Sequence, residues 1–432
     1  MDADSVALAT PARGAPVQPR APLSRGLVLL FAVASGLSVA NVYYAQPLLD
    51  ALARDFGITR AAVGGVVTAT QAGCALALLL LVPLGDRVER SRLMIVQLLA
   101  LAGALGVVGL ARSVTVLLAG MLGVGMLGTA MTQGLIAYAA AAAAPDERGR
   151  VVGAAGSGVF IGLLLARVFS GGVSDLAGWR GVYGCSAAVM LAVAVPLWRR
   201  LPKLARGEPG TMSYVQLIIS MFALLRSDRV LQTRGVLALL MFATLNIFWS
   251  ALVLPLSAPP YNFSHTAIGA FGIAGAAGAL AAARAGHWAD RGWGQRTSAA
   301  ALALLLLAWW PLSMLGHSLW MLLVGIVLLD LGGQALHVTN QSLIFRSSAQ
   351  LHSRLVSLYM LFYAVGSGLG AIGTTATYAA AGWHGVCTLG AAVSLLALVF
   401  WAVTVRRMPR VPVRLYVELK PEWKLEPGDM DG

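Results

Sequence analysis

The chain has 432 residues, of which 58% are apolar and only 11% charged, with a mean hydropathy of +0.77. Soluble domains carry about a quarter charged residues, so water is not the main solvent of this chain. The net charge of +13 raises nucleic acid as a partner, but the basic residues lie between apolar runs and not on amphipathic soluble elements, which argues against it.

Twelve apolar runs approach or exceed the ~20 residues that a bilayer crossing requires. In chain order they are 26–49, 61–84, 93–111, 114–143, 151–177 and 181–198, then 235–258, 266–286, 297–316, 319–344, 355–381 and 385–405. Pro83, Pro196, Pro255 and Pro311 lie within or at the ends of these runs, as membrane helices tolerate. The expected fold is an all-α membrane protein with twelve transmembrane helices in two pseudo-symmetric six-helix bundles, 26–198 and 235–405. A tail, 1–25, precedes the first bundle. A linker, 199–234, joins the two; its apolar stretch 212–225 is short for a crossing and reads as an interfacial helix. The tail 406–432 is of mixed charge, and little fixed structure is expected of it.

The two bundles repeat one another at a shift of 204 residues. The shift carries Asp86-Arg87 onto Asp290-Arg291, Arg150-Val151-Val152 onto Arg354-Leu355-Val356, and Gly162 onto Gly366. It also carries Trp179-Arg180-Gly181-Val182 onto Trp383-His384-Gly385-Val386. A duplicated membrane domain of this kind is the internal symmetry of many secondary transporters.

Basic residues give the orientation. With both termini cytoplasmic, Arg54, Arg60, Arg112 and Arg180 fall outside, Arg167 lies within a span, and the rest of the 31 Lys and Arg residues fall inside. No cleavable signal is expected, because removing the first run would destroy one half of the repeat. Cys74, Cys185 and Cys387 lie in apolar runs without ligand-like spacing, so neither a disulfide nor a metal site is expected. Gly123-Val124-Gly125-Met126-Leu127-Gly128 matches a dinucleotide fingerprint in letters only. It sits inside an apolar helix with no preceding strand, where helix packing accounts for it. No phosphate-binding loop ending in Gly-Lys-Ser/Thr occurs, and no cofactor is expected.

The loop Pro83-Leu84-Gly85-Asp86-Arg87-Val88-Glu89-Arg90-Ser91-Arg92, with its weaker copy Asp290-Arg291, resembles the signature loop of the major facilitator superfamily, and the likeness extends over the whole twelve-run core. Asn41-Val42-Tyr43-Tyr44-Ala45-Gln46-Pro47-Leu48-Leu49 and the corner Gly178-Trp179-Arg180 further resemble bacterial drug:proton antiporters and nucleoside exporters. Departures exist: the signature's glycines read Val82 and Glu89, the arginine expected in the fourth run aligns with Met121, and the Gly-Pro of the antiporter motif reads Gly162-Leu163. The resemblance implies that runs one, four, seven and ten line a central cavity. It also implies that Asp86, Arg87, Arg90, Asp290 and Arg291 form a cytoplasmic latch that stabilises one access state. A carboxylate there would meet the positive end of an adjacent helix, and the arginines would bond loop carbonyls or acids.

An ionised group at mid-membrane costs at least ~2.5 kcal/mol, so such residues call for a purpose. Asp330 heads a stripe with Gln334, His337 and Gln341 on one helical face. Asp330 is the candidate proton carrier, with a structural aspartate as the alternative. Asn41, Tyr44, Gln133, Asn246, Gln334 and His337 are the polar candidates for solute binding, with interhelical bonding as the competing role. Arg167, deep in the fifth run, is expected to face the cavity and meet an anion, either Asp330 or a negatively charged solute. Tyr43, Phe248, Trp249, Tyr359 and Tyr363 offer aromatic faces to a planar solute or pack.

Together these features point to a monomeric inner-membrane transporter of a small organic solute, working by alternating access and coupled to protons in the direction of efflux. An uptake symporter or uniporter is the alternative within that class. A membrane-embedded enzyme using Asp330 and His337 lacks a metal cluster, a nucleophile with its base, or a cofactor motif, and a transporter-like sensor lacks a soluble output domain.

Overall fold

The computed structural model describes residues 23–85, 87–144, 147–201, 213–281, 288–345 and 352–405, and every regular element among them is helical. The main helices are α1 (Arg25–Tyr43), α2 (Gly65–Leu76), α3 (Arg90–Gly109), α4 (Val114–Ala142) and α5 (Arg148–Arg200), then α6 (Tyr214–Ser227) in the linker. The second half has α7 (Arg229–Ala251), α8 (His265–Ala281), α9 (Gly294–Leu307), α10 (Leu319–Phe345) and α11 (His352–Thr404). This is the all-α membrane architecture expected, and the helices are consistent with twelve crossings.

Several helices run on into short irregular turns, and proline explains where. Pro47, Pro83, Pro255 and Pro311 each sit in such a turn: Gln46–Leu48, Val82–Leu84, Val253–Leu256 and Trp309–Ser313. A proline has no N–H to donate and its ring crowds the preceding turn, so the regular ladder breaks there. Ahead of Pro83 the break takes the form of a wide π turn over Ala77–Leu81.

α5 and α11 each run for 53 residues, more than twice one crossing. Each bends at one glycine, Gly178 with φ of 70° and Gly382 with φ of 59°. A Cβ disfavours this left-handed backbone, and the two glycines stand at the same offset of 204 as the sequence repeat. The tryptophan after each pins the corner: Trp179 Nε1 donates to Asp55 Oδ2 at 3.1 Å, and Trp383 Nε1 donates to the Leu312 carbonyl at 2.9 Å.

In lipid the helices gain little from the hydrophobic effect and associate through close packing, which small residues permit. Gly158 and Gly162 of α5 lie against the backbone of α1 at Ala32 and Gly36, with no room for a Cβ. Gly366 and Gly370 of α11 meet Leu239 and Ala243 of α7 in the same way, so Gly162 and Gly366 fill equivalent places in the two halves. Large apolar residues face outward, among them Leu176, Leu110 and Trp320. Buried hydroxyls bond back to the carbonyl four residues earlier, as in Ser38 to Ala34 at 2.7 Å and Thr339 to Ala335 at 2.7 Å. Helix α6 has 14 residues and starts with a capping box of Ser213 and Gln216. It packs Met221 inward and exposes Val215, Ile219 and Phe222.

Candidate functional site

A cavity of about 50 Å³ lies between the halves at mid-height, with Tyr43, Gln46, Leu163 and Arg167 on one side and Asn246, Trp249, Asp330, Gln334 and Tyr363 on the other. Its polar groups form a chain across the interface. Arg167 Nη2 donates to Gln46 Oε1 at 2.9 Å, Gln46 Nε2 donates to Asn246 Oδ1 at 3.0 Å, and Asn246 Nδ2 donates to Ser367 Oγ at 2.9 Å. Tyr43 and Tyr363 share a short hydroxyl contact between the halves.

Trp249 sits between the two charges. The Arg167 guanidinium lies over its indole with 3.9 Å to the ring centroid, and its Nε1 donates to Asp330 Oδ1 at 3.4 Å. Among the described residues no ion pair joins Arg167 to Asp330. Arg167 is 6% exposed, and its Nε has no hydrogen-bond partner among the described residues. Gly275 of α8 leaves room for the carboxylate, since a Cβ there would collide with Asp330 Oδ2.

Of the residues singled out in the sequence, the cavity therefore brings together the polar candidates Arg167, Asn246, Asp330 and Gln334 and the aromatic ones Tyr43, Trp249 and Tyr363. Asn41 is buried elsewhere, accepting from Ser186 Oγ at 2.6 Å and donating to the Leu37 carbonyl at 2.7 Å. Tyr44 packs on Phe169, with ring centroids 5.3 Å apart, and its neighbour Tyr43 takes the cavity wall instead. His337 shares a 2.9 Å hydrogen bond through Nδ1 with the Tyr359 hydroxyl and sets its ring edge-on to Phe242. Gln133 lines a second cavity, of about 100 Å³, with Arg90, Gln97, Met221 and Arg354, towards the end that carries α6.

At that same end Arg90 Nε donates to the Gly85 carbonyl at 3.1 Å, capping the turn after α2. Arg87 and Arg291 are exposed. Asp86, the side chain of Asp290 and the tail 406–432 lie outside the described residues.

The opposite end of the molecule holds a cluster that sequence inspection missed. His265, the first residue of α8, accepts or donates through Nε2 to Asp50 Oδ1 at 2.9 Å and through Nδ1 to Asp175 Oδ1 at 3.3 Å. Asp175 also accepts from the backbone N–H of His265 at 3.1 Å and of Thr266 at 2.8 Å, while Arg54 pairs with Asp50 at 2.9 Å. With both ring nitrogens facing carboxylate oxygens, only the doubly protonated imidazolium donates to both. The Asp50 hydrogen bond accordingly holds the His265 pKa above its ordinary value, against the opposing effect of burial. This end is sealed further by close approach: Gly64 lies on Ala371, Gly171 on the His265 carbonyl and Gly269 on the Arg167 carbonyl. Gly64 N–H also donates to Thr375 Oγ1 at 3.2 Å, and Thr68 Oγ1 to the Gly368 carbonyl at 2.7 Å.

Arg234 is a second unforeseen buried cation. Its guanidinium bonds Ser298 Oγ at 2.8 Å, Gln295 Oε1 at 2.9 Å and Asn340 Oδ1 at 3.2 Å, all neutral acceptors. Among the described residues no group of three His, Cys, Asp or Glu side chains could hold a metal ion.

Comparison with known proteins bears on this geometry. The chain is 41% identical to a putative uncharacterized transporter of Escherichia coli K12, YgaY, over 89% of its own length and 97% of that protein's. It is 30% identical to a probable transporter of Streptomyces coelicolor, SCO4007, over 91% and 90% of the two chains. Its fold is similar to that of a bacterial homologue of the human lysosomal transporter Spinster, solved in an inward-facing and occupied conformation. The TM-score there is 0.73 at 15% identity, over 89% of this chain and 97% of that one. The sequence profile of the Major Facilitator Superfamily matches residues 30–284 and 235–424, so the two packed sets of helices with a polar cavity between them have a family: the chain belongs to the Major Facilitator Superfamily of membrane transporters.

Proposed function

We propose that the protein exports a small organic solute across a bacterial inner membrane in exchange for protons, acting as a monomer. Two six-helix halves, 26–198 and 235–405, rock about the central cavity, with the linker 199–234 and both termini on the cytoplasmic side. In this reading the end sealed by His265 is the external gate, and the conformation is one closed to the outside. Asp330 is the coupling carboxylate. Arg167, Gln46, Asn246 and Gln334 bind the solute. Asp86, Arg87, Arg90, Asp290 and Arg291 latch the cytoplasmic side when it closes.

The observation that carries the proposal is the presence of a half-buried carboxylate, Asp330, and an arginine, Arg167, in one cavity walled by both halves. Such a site changes its access when the halves move and its charge when a proton arrives. The stretches around Asn41–Leu49 and Gly178–Arg180, with their likeness to proton-driven exporters, favour the outward direction. Uptake by symport would use the same site with the proton and solute bound together.

Proteoliposomes loaded with a pH-sensitive dye test the proposal. Challenged with neutral amino acids, glucose and uridine in turn, they should release protons inward as one class of solute leaves, and Asp330→Asn should abolish that exchange. Solute movement without any proton flux, or proton movement in the same direction as the solute, would refute coupled export.

A further inference from the structure

The cavity holds one positive and one negative side chain that do not pair, and on the reading of this cavity as the solute site that separation identifies the solute. Opposite charges within a low-dielectric interior are stabilised by closing into a hydrogen-bonded pair, because each alone has lost its water. Trp249 keeps Arg167 and Asp330 apart here, stacking on the first and bonding the second. Each charge is left with unused bonding capacity. Among the described residues Arg167 Nε is buried without a partner, and Gln46 takes an N–H of Nη2. Asp330 Oδ2 faces the gap left by Gly275.

A solute with a carboxylate alone would satisfy Arg167 and be repelled by Asp330. A solute with an ammonium alone would do the reverse. A sugar offers hydroxyls to both but neutralises neither, and one face of the indole on which it would stack is covered by the guanidinium. A dipolar solute with both charges a few bonds apart satisfies the two at once. The volume of about 50 Å³ is a few times the ~10–15 Å³ that one water needs on this scale, which restricts the site to a small solute. Leu163, Leu164 and Leu245 make the remaining wall apolar.

We propose that the protein's solute is a zwitterion of the α-amino-acid class with a small apolar side chain, its carboxylate on Arg167 and its ammonium on Asp330. The proton and the ammonium then compete for the same carboxylate, which links release of one to arrival of the other without any long-range relay.

The test is equilibrium binding to the purified full chain in detergent, read by thermal shift and by quenching of tryptophan fluorescence. The probes are L-alanine and L-leucine, each beside its deaminated acid (propionate, 4-methylpentanoate) and its amide (alaninamide, leucinamide), with glucose as the neutral solute. At least one of the two amino acids should bind, and its acid and amide should each bind about tenfold or more weakly, the loss of one charge-assisted hydrogen bond. Asp330→Asn should invert the preference, so that the deaminated acid binds at least as tightly as the amino acid. Failure of both amino acids to bind, or binding of an acid, an amide or glucose within a few-fold of them, overturns the proposal. The wild-type panel alone decides the matter should the variant not fold. An amino acid that binds but is not moved by a pH gradient in proteoliposomes would refute coupled export and leave the solute class standing; glucose or a simple acid bound in place of the amino acid would do the opposite.

Discussion

Replacing His265 with glutamine should unlock the end of the molecule that it seals. The ring spans two carboxylates, Asp50 and Asp175, at 2.9 and 3.3 Å, and is only 17% exposed. A hydrogen bond to a charged partner contributes about 1.5–3 kcal/mol; Arg54 remains beside Asp50 and offsets part of the loss. A net destabilisation of the closed state by about 2 kcal/mol is expected, which is roughly thirtyfold in the ratio of closed to open. The same contact carries a pH dependence. Its partners raise the His265 pKa in the closed state, whereas in the open state the ring faces water and titrates near about 6.5. The proton is therefore held more tightly when the gate is closed. The stabilisation is complete below about pH 6.5 and is lost as pH rises through the raised value. Spin labels on Arg112→Cys and His317→Cys, placed on exposed loops of the two halves in a background with the exposed Cys185 replaced by serine, report the gate distance by pulsed dipolar spectroscopy. The closed fraction should fall with rising pH in the wild type and be smaller and pH-independent in His265→Gln. A wild-type distribution that does not move with pH, or a variant that keeps the wild-type response, would show that the imidazolium does not hold the gate.

Gly171→Val should leave the protein folded but unable to close this end, because a Cβ at Gly171 would strike the His265 carbonyl; the label pair should show only the long distance and transport should cease. Asp330→Asn should keep expression and passive exchange while losing pH-driven solute movement, and full accumulation by this variant would remove Asp330 from coupling. Trp249→Leu should lower solute affinity and stability together, the latter by about 2 kcal/mol, the worth of a desolvated cation–π contact, as read from detergent melts. Arg167→Leu combined with Asp330→Leu should not recover the stability lost by either change alone, since each charge is held by its own neutral partners; a clear recovery would reveal a direct pair.

The helical runs and the duplicated halves were legible because each rests on a local or periodic signal. Twenty apolar residues announce a crossing, and one offset aligned Trp179-Arg180-Gly181-Val182 with Trp383-His384-Gly385-Val386, each of which follows a corner glycine, Gly178 or Gly382, at φ of 70° or 59°. The cavity was only partly legible. Cost-at-depth reasoning found Asp330 and Arg167, which are expensive wherever they are not used. The resemblance puts the first run on the cavity wall, with Asn41 and Tyr44 as its polar candidates, whereas the chain leaves the α-helix at Tyr43 and tightens into the turn Gln46–Leu48. Tyr43 and Gln46 line the cavity, while Asn41, still within the regular helix, bonds Ser186. The His265 cluster had no sequence signal of its own. Its three members are 90 and 215 residues apart and lie at the ends of runs, where charges are ordinary.

The gate and the cavity share their supports, and this constrains how the protein works. Asp175 and Arg167 belong to the same straight part of α5, eight positions and so about 12 Å apart. His265 and Gly275 belong to α8, ten positions and about 15 Å apart. α8 also lies against α5 backbone to backbone, where Gly269 meets the Arg167 carbonyl. Parting α5 from α8 far enough to break the His265 contacts therefore displaces the backbone of Arg167 from Gly269 and moves Arg167 away from Asp330, which stays with Gly275 in the second half. On the proposed function, a proton leaving His265 and a solute leaving Arg167 draw on one motion of two rigid helices. The closed gate and the separated charges of the cavity are then two readouts of a single packing arrangement, and a substitution such as Gly269→Ala, remote from any solute contact, should weaken both in the same proportion.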